Sequence, residues 1–156
     1  MTTIAYTNDV LAADSQFSEE AYLAKGPCAK IYKVDPGRFR ATLGTDVCLV
    51  GLAQGYFSGL LFLDWLQGKL DSEDFHGILQ EEDDFLALFV TNKSEIFLCN
   101  RYLVLEKINS SFWAIGSGSK IAMAVMDAGG SAEEAVKQAC KYDLYTGGDV
   151  KTLSLR

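Results

Sequence analysis

With a single histidine, His76, in 156 residues, any Ser–His–Asp or Cys–His catalytic set would have to be built on that one side chain. It stands in Ser72-Glu73-Asp74-Phe75-His76-Gly77, a stretch of weak structural pattern, and reads as a surface or half-buried histidine. Cys28, Cys48, Cys99 and Cys140 lie far apart, form no C-x-x-C pair and have only that histidine to join them, so they read as reduced, mostly buried apolar residues rather than metal ligands. Glu81, Glu82, Asp83 and Asp84 lack the spaced ligands of a cation-binding loop and read as a solvated acidic stretch. The Gly116-Ser117-Gly118-Ser119-Lys120 run precedes a helical pattern but lacks the G-x-x-x-x-G-K-[ST] spacing that cradles phosphate. One combination remains. Removal of Met1, which methionine aminopeptidases perform when the next residue is small, leaves Thr2 with a hydroxyl nucleophile and, on the same residue, an amine able to act as its base. Many ordinary proteins begin Met-Thr, so the weight of this reading must come from the rest of the chain.

The elements that would hold Thr2 begin at once. Thr3-Ile4-Ala5-Tyr6 and Val10-Leu11-Ala12-Ala13 flank the turn formers Thr7-Asn8-Asp9, which predicts a short hairpin with the N-terminus held in a sheet. Further strands are predicted at 30–34 and 47–52, joined by a loop containing Asp35-Pro36-Gly37. Apolar residues at helical spacing (Phe57, Leu60, Leu61, Leu63, Leu66, Leu70) predict a helix over 56–70. The acidic stretch 71–84 is expected to be a loop or a single helical turn, and 85–90, 95–99 and 102–105 form a predicted meander. Trp113-Ala114-Ile115 is a strand candidate, followed by helices over 120–127 and 132–142, the latter opened by Ser131 as N-cap with Glu134 three residues on. A final strand over 150–155 closes the chain. Strands, helix, strands, two helices and strand in that order predict an α+β fold with two antiparallel sheets covered by helices.

Composition sets the class. At 49% apolar the chain can build a continuous core, and its length suits one domain over 1–156. No apolar run approaches the roughly 20 residues of a membrane helix, and the start lacks a basic, then apolar, export signal, so a cytoplasmic protein is expected. A net charge of −7 with no Lys/Arg cluster disfavours nucleic acid as a partner.

The ordered set of motifs resembles the proteasome β-subunit family, and more closely its bacterial relative, the peptidase subunit of the HslUV protease. The likeness runs through Thr2-Thr3-Ile4, Leu11-Ala12-Ala13-Asp14-Ser15, Lys30-Ile31-Tyr32-Lys33-Val34, Gly51-Leu52-Ala53-Gln54-Gly55, Ala114-Ile115-Gly116-Ser117-Gly118-Ser119 and Tyr142-Asp143-Leu144-Tyr145-Thr146-Gly147-Gly148. It implies a four-layer αββα sandwich, the N-terminal nucleophile hydrolase fold, and an HslV-type threonine peptidase with no cofactor. Through it Thr2 matches the nucleophile, Lys30 the active-site lysine and Asp14 its paired carboxylate, 16 residues earlier. Ser117 and Asp143 match the polar pair that orients the terminal amine, and Thr146 falls in the same network. Gln54, where the family has glycine, and Gly55 match the oxyanion-binding turn. Phe17, Cys28, Tyr32, Leu52 and Tyr56 fall at or near the specificity pocket, which implies an apolar residue before the scissile bond. Read singly, Asp14 and Lys30 are ordinary surface charges, and Ser117, Asp143 and Thr146 caps and turn formers.

These roles are chemically coherent. An α-amine titrates near about 7.7–8.0, and a neighbouring ammonium lowers that value, leaving it neutral and basic at pH 7. A buried Lys30 would in turn require Asp14 as counter-ion. The resemblance further implies a homo-oligomeric ring, an unfoldase ATPase as a possible partner and unfolded polypeptide as substrate. It departs from the family in a shorter first hairpin, in Gln54, in a longer 34–47 loop and in the roughly fourteen residues left where the family has a second long helix. A silent structural subunit and an N-terminal nucleophile amidase acting on a small molecule are the two competing functions.

Overall fold

The computed structural model describes residues 2–17, 28–34, 46–80 and 84–156, with Tyr56 described in its backbone alone. The chain opens with β1 (Thr3–Thr7) and β2 (Val10–Ala13), which pair antiparallel from Ile4↔Ala13 to Thr7↔Val10. Asn8 and Asp9, at φ 49° and 61°, make the turn between them. Both central residues in the left-handed region is the signature of the tight hairpin turn whose twist suits flanking strands, and Asn and Asp tolerate it. The hairpin therefore needs two turn residues where the sequence suggested three.

Two antiparallel sheets follow. One has the order β8-β1-β2-β9, with β8 (Phe112–Gly116) and β9 (Lys151–Ser154) on its edges. The other runs β3-β4-β5-β6-β7, from β3 (Ile31–Lys33), β4 (Val47–Ala53), β5 (Leu86–Thr91), β6 (Ile96–Asn100) and β7 (Leu105–Ile108). Alternation along the strands sorts side chains into three cores. Ile4, Tyr6, Leu11, Leu49, Leu88, Val90, Ile96 and Ile115 fill the space between the sheets. Val50, Leu52, Ala87, Phe89 and Phe97 face outward from the five-stranded sheet and pack under α1 (Tyr56–Leu66) and α2 (Ser72–Ile78), which contribute Phe62, Trp65, Leu66 and Phe75. Burying each of these large side chains stabilises the fold by about 1.5–3 kcal/mol. Val47 shares the face of Val50 although they are an odd number of residues apart, because a register shift between Val47 and Leu49 flips the alternation.

The outer face of the four-stranded sheet is built differently. Ala5, Ala12 and Ala114 meet Ala122 and Met126 of α3 (Ser119–Asp127) and Ala132, Ala135 and Val136 of α4 (Ala132–Tyr142). Small residues on both sides let the helices lie close to the sheet. Helix, sheet, sheet, helix is the αββα sandwich expected of the α+β class, and among the described residues no helix is long and apolar enough to cross a membrane.

Three elements differ from expectation. α1 stops at Leu66, four residues early, where Gly68 at φ 74° turns the chain, and Leu70 packs on the outer core without being helical. The stretch after it is a real helix, α2, whose N-cap Asp71 accepts from the Asp74 N–H at 2.8 Å. The run at 102–105 is a turn: Asn100 Oδ1 accepts from the Tyr102 and Val104 N–H groups, Leu103 has φ 57°, and the strand starts at Leu105. Of the cysteines, all free, only Cys99 is buried, with its thiol pushed up to about 12 by burial; Cys28, Cys48 and Cys140 are half-buried. Met1, the 35–37 turn and Glu81, Glu82 and Asp83 lie outside the described residues.

Candidate active site

The hydroxyl of Thr2, just before β1, and the backbone N–H of Thr3 converge on Asp14, just past the end of β2. Antiparallel pairing brings Thr2 and Asp14 level: Ile4 lies opposite Ala13, and the Asp14 N–H donates to the Thr3 carbonyl at 3.3 Å. Asp14 is 1% exposed and Thr2 3%, so their polar atoms need partners inside the protein. Asp14 Oδ1 accepts from the Thr2 hydroxyl, from the Thr3 N–H at 2.9 Å and from Lys30 Nζ at 2.9 Å. Its Oδ2 accepts from Lys30 Nζ at 2.9 Å, the Gly147 N–H at 3.1 Å and the Gln16 N–H at 3.2 Å. The carboxylate is thus fixed in position and orientation by an ammonium, a hydroxyl and backbone dipoles.

Lys30 immediately precedes β3 and is itself buried. Its ammonium also donates to the Gln16 carbonyl at 2.5 Å, and its own carbonyl accepts from the Leu52 N–H at 2.8 Å, which ties it to β4 of the other sheet. Burial pulls the Lys30 ammonium below its ordinary 10.5, and the Asp14 carboxylate opposes that fall. Lys30 and the Thr2 hydroxyl therefore share one acceptor atom, placing a positive charge beside the oxygen that would become nucleophilic.

On the other side of Thr2, its carbonyl accepts from the Ser117 N–H at 2.8 Å and lies 3.3 Å from Ser117 Oγ. Ser117 Oγ lies 2.6 Å from Asp143 Oδ2, which also accepts from the Thr146 hydroxyl. Gly116, at φ 95°, has no room for a side chain: a Cβ there would stand 1.9 Å from the Thr2 carbonyl oxygen. The structure thus gathers Thr2, Asp14, Lys30, Ser117, Asp143 and Thr146 into one hydrogen-bonded group drawn from both ends of the chain.

Gln54 and Gly55 form the exposed corner between β4 and α1. Gln54 sits at φ 67°, the left-handed region that glycine adopts freely and a glutamine does at a cost. Of the residues expected to shape specificity, Phe17 and Cys28 are half-buried, and the Cys28 N–H donates to the Ser15 carbonyl at 3.1 Å, beside Asp14. Tyr32 and Leu52 belong to the apolar core under α1, where Leu52 contacts Gly59; the Tyr56 side chain lies outside the described residues. His76 is exposed on α2, in the opposite outer layer from the four-stranded sheet. Burial pushes the Cys28 and Cys140 thiols up, more than the nearby Lys30 charge draws them down, which keeps both poor nucleophiles.

Sequence reasoning missed the backbone donors of Gln16 and Gly147, which carry no residue-type signal, and the side chain of Thr3. The Thr3 hydroxyl is fully buried, accepts from the Gly118 N–H at 3.1 Å and lies 2.7 Å from the Thr146 hydroxyl.

No protein-family model matches the chain, and no curated protein matches its sequence. Solved structures do. HslV from Trypanosoma brucei superposes with a TM-score of 0.66 at 16% identity, over 98% of this chain and 98% of that one. BPH from Thiobacillus denitrificans gives 0.65 at 20% identity over 99% of this chain and 98% of that one. The same protein in complex with epoxomicin gives 0.66 at 19% over 99% and 98%. Agreement across nearly the full length of each chain shows that this protein has the fold of HslV and BPH, an αββα sandwich of two antiparallel sheets.

Proposed function

We propose that the chain is a threonine-type endopeptidase of the proteasome and HslV kind. The observation that carries this reading is the buried group in which the Thr2 hydroxyl and the Lys30 ammonium meet on Asp14 Oδ1. An ordinary surface aspartate and lysine would not be sunk beside a threonine hydroxyl, because burying the pair costs more than leaving it in water.

In this reading Met1 is removed and the Thr2 amine takes the hydroxyl proton as the oxygen attacks the peptide carbonyl. The proton then passes to the leaving amine, and water hydrolyses the ester left on Thr2. Lys30 holds positive potential at the attacking oxygen and lowers the basicity of the amine, so that it is neutral at working pH. Asp14 anchors Lys30. The 54–55 corner supplies N–H donors to the oxyanion, where loss of one donor costs about 10²–10³ in rate in other enzymes. Ser117 and Asp143 orient the amine. Copies of the chain assemble into a ring that encloses these sites and admits unfolded polypeptide in the cytoplasm, with an unfoldase ATPase as the feeding partner.

The test is direct. Intact mass of the purified protein is expected to fall short of the translated chain by one methionine, fluorogenic peptides with an apolar residue before the scissile bond to be cleaved, and Thr2→Ala to cleave none. Epoxomicin, bound by BPH in its solved complex, is expected to leave an adduct that peptide mapping places on Thr2. A retained methionine with no cleavage marks a silent structural subunit instead, and turnover that survives Thr2→Ala rejects the nucleophile.

A further inference from the structure

We propose that Thr3 is a positioning residue for the reaction at Thr2, acting through Thr146 on Asp143; this rests on the peptidase reading. The side chain of Thr3 points away from Asp14, toward the helical layer, and is fully buried. Its hydroxyl accepts from the Gly118 N–H at 3.1 Å and lies 2.7 Å from the Thr146 hydroxyl. Each hydroxyl has one proton to give. Thr146 gives its proton to Asp143 Oδ2, so its oxygen is free to accept from Thr3, and the Thr3 oxygen is free to accept from Gly118. The result is a one-way chain, from the Gly118 N–H through the Thr3 and Thr146 hydroxyls to the Asp143 carboxylate. The first two links are buried and the last, onto the half-buried Asp143, is partly so, and each link polarises the next.

The chain begins at the N-cap of α3, which has no side-chain cap of its own, so the backbone N–H there is oriented by the helix and by Thr3. It ends on the oxygen of Asp143 that also bonds Ser117, the residue whose N–H holds the Thr2 carbonyl. Thr3 therefore reaches its own neighbour, Thr2, by a second route across the fold. Position 118 is shaped for this route: a Cβ there would stand 2.2 Å from the Thr3 hydroxyl oxygen and 2.8 Å from the Ala139 Cβ. Without the chain, Asp143 Oδ2 keeps only its bond with the Ser117 hydroxyl, so the pair is held less firmly, and with it the group that both residues orient.

The experiment uses the full-length protein and a fluorogenic peptide. Thr3→Val keeps the β-branched shape and removes the hydroxyl; it is expected to lower kcat by about 10- to 100-fold with KM unchanged, since a misplaced catalytic group costs rate and not ground-state binding. Thr3→Ser is expected to restore most of the rate. Thr3→Val combined with Thr146→Val is expected to lose no more than either change alone, because both cut the same chain. A Thr3→Val protein with wild-type kcat, a Thr3→Ser protein as slow as Thr3→Val, or losses that multiply in the double variant would each overturn the proposal. If Thr3→Val does not fold, Thr146→Val carries the same expectation, and wild-type kcat there overturns it. Wild-type protein with neither hydrolysis nor a Thr2 adduct overturns the functional reading and this proposal together, whereas an active wild type with an indifferent Thr3→Val overturns this proposal alone.

Discussion

The Lys30 ammonium stands 2.9 Å from each oxygen of Asp14, and one of those oxygens also takes the Thr2 hydroxyl. The arrangement makes Asp14 a clamp on two partners at once: it compensates a buried cation and fixes the rotamer of the threonine. Under the proposed peptidase reading, stability and chemistry are coupled at this one carboxylate.

Lys30→Met keeps the length and apolar stem of the side chain and deletes the charge. The remaining Asp14 donors are dipoles, so the carboxylate loses its counter-ion inside the protein, which costs about 3 kcal/mol. Peptide hydrolysis is expected to vanish and thermal denaturation to shift down in the same variant. Near-normal turnover at pH 7 would show that Lys30 serves the fold alone.

The lowered Lys30 value fixes the sign of two pH effects. Above its folded value Lys30 is neutral and no longer favours an alkoxide on Thr2, so kcat/KM is expected to fall at a pH below 10.5. In the window between the folded value and 10.5, the unfolded chain binds the Lys30 proton more tightly than the folded chain. The contribution of Lys30 to stability therefore rises with pH across that window and is lost as pH falls through the folded value. Rate profiles and denaturation curves over alkaline pH check both signs, and an alkaline limb starting only at the ordinary lysine value would contradict the first.

Gln54→Gly is expected to stabilise the protein by about 0.5–1 kcal/mol, because φ 67° strains glutamine and the exposed side chain gives up little packing. Urea denaturation measures it. A stability loss would mean that the Gln54 side chain makes contacts that outweigh its backbone strain.

Much of the fold was legible where local chemistry and tertiary structure agree. Asn8-Asp9 specified the hairpin, and Ser131 with Glu134 forms the capping box that starts α4. Elsewhere a local signal was overlooked or outweighed. Asp71 with Asp74 marked the start of α2, yet its charge density read as a loop or a single helical turn. At Tyr102-Leu103-Val104-Leu105 the β-forming residues outweighed Asn100, whose side chain folds the backbone into a turn and leaves Tyr102 and Val104 exposed. The same division holds at the site. Asp14 and Lys30 stood out only through the family resemblance of the motifs that contain them, since each read singly is an ordinary charge, whereas Gly147 and Gln16 act through N–H groups that every residue but proline possesses. Thr3 was hidden by its neighbour, since two adjacent threonines on a strand point to opposite faces and only one was assigned a task.

The sheet order β8-β1-β2-β9 places the first two strands between two of the last, and Asp14 takes a donor from Gly147. Thr2 precedes the segments that complete its surroundings by more than a hundred residues, so they are made after it. If the proposed peptidase reading holds, a polypeptide lacking those segments would carry the Thr2 hydroxyl without the groups proposed to position it, and would have no means of cutting its neighbours.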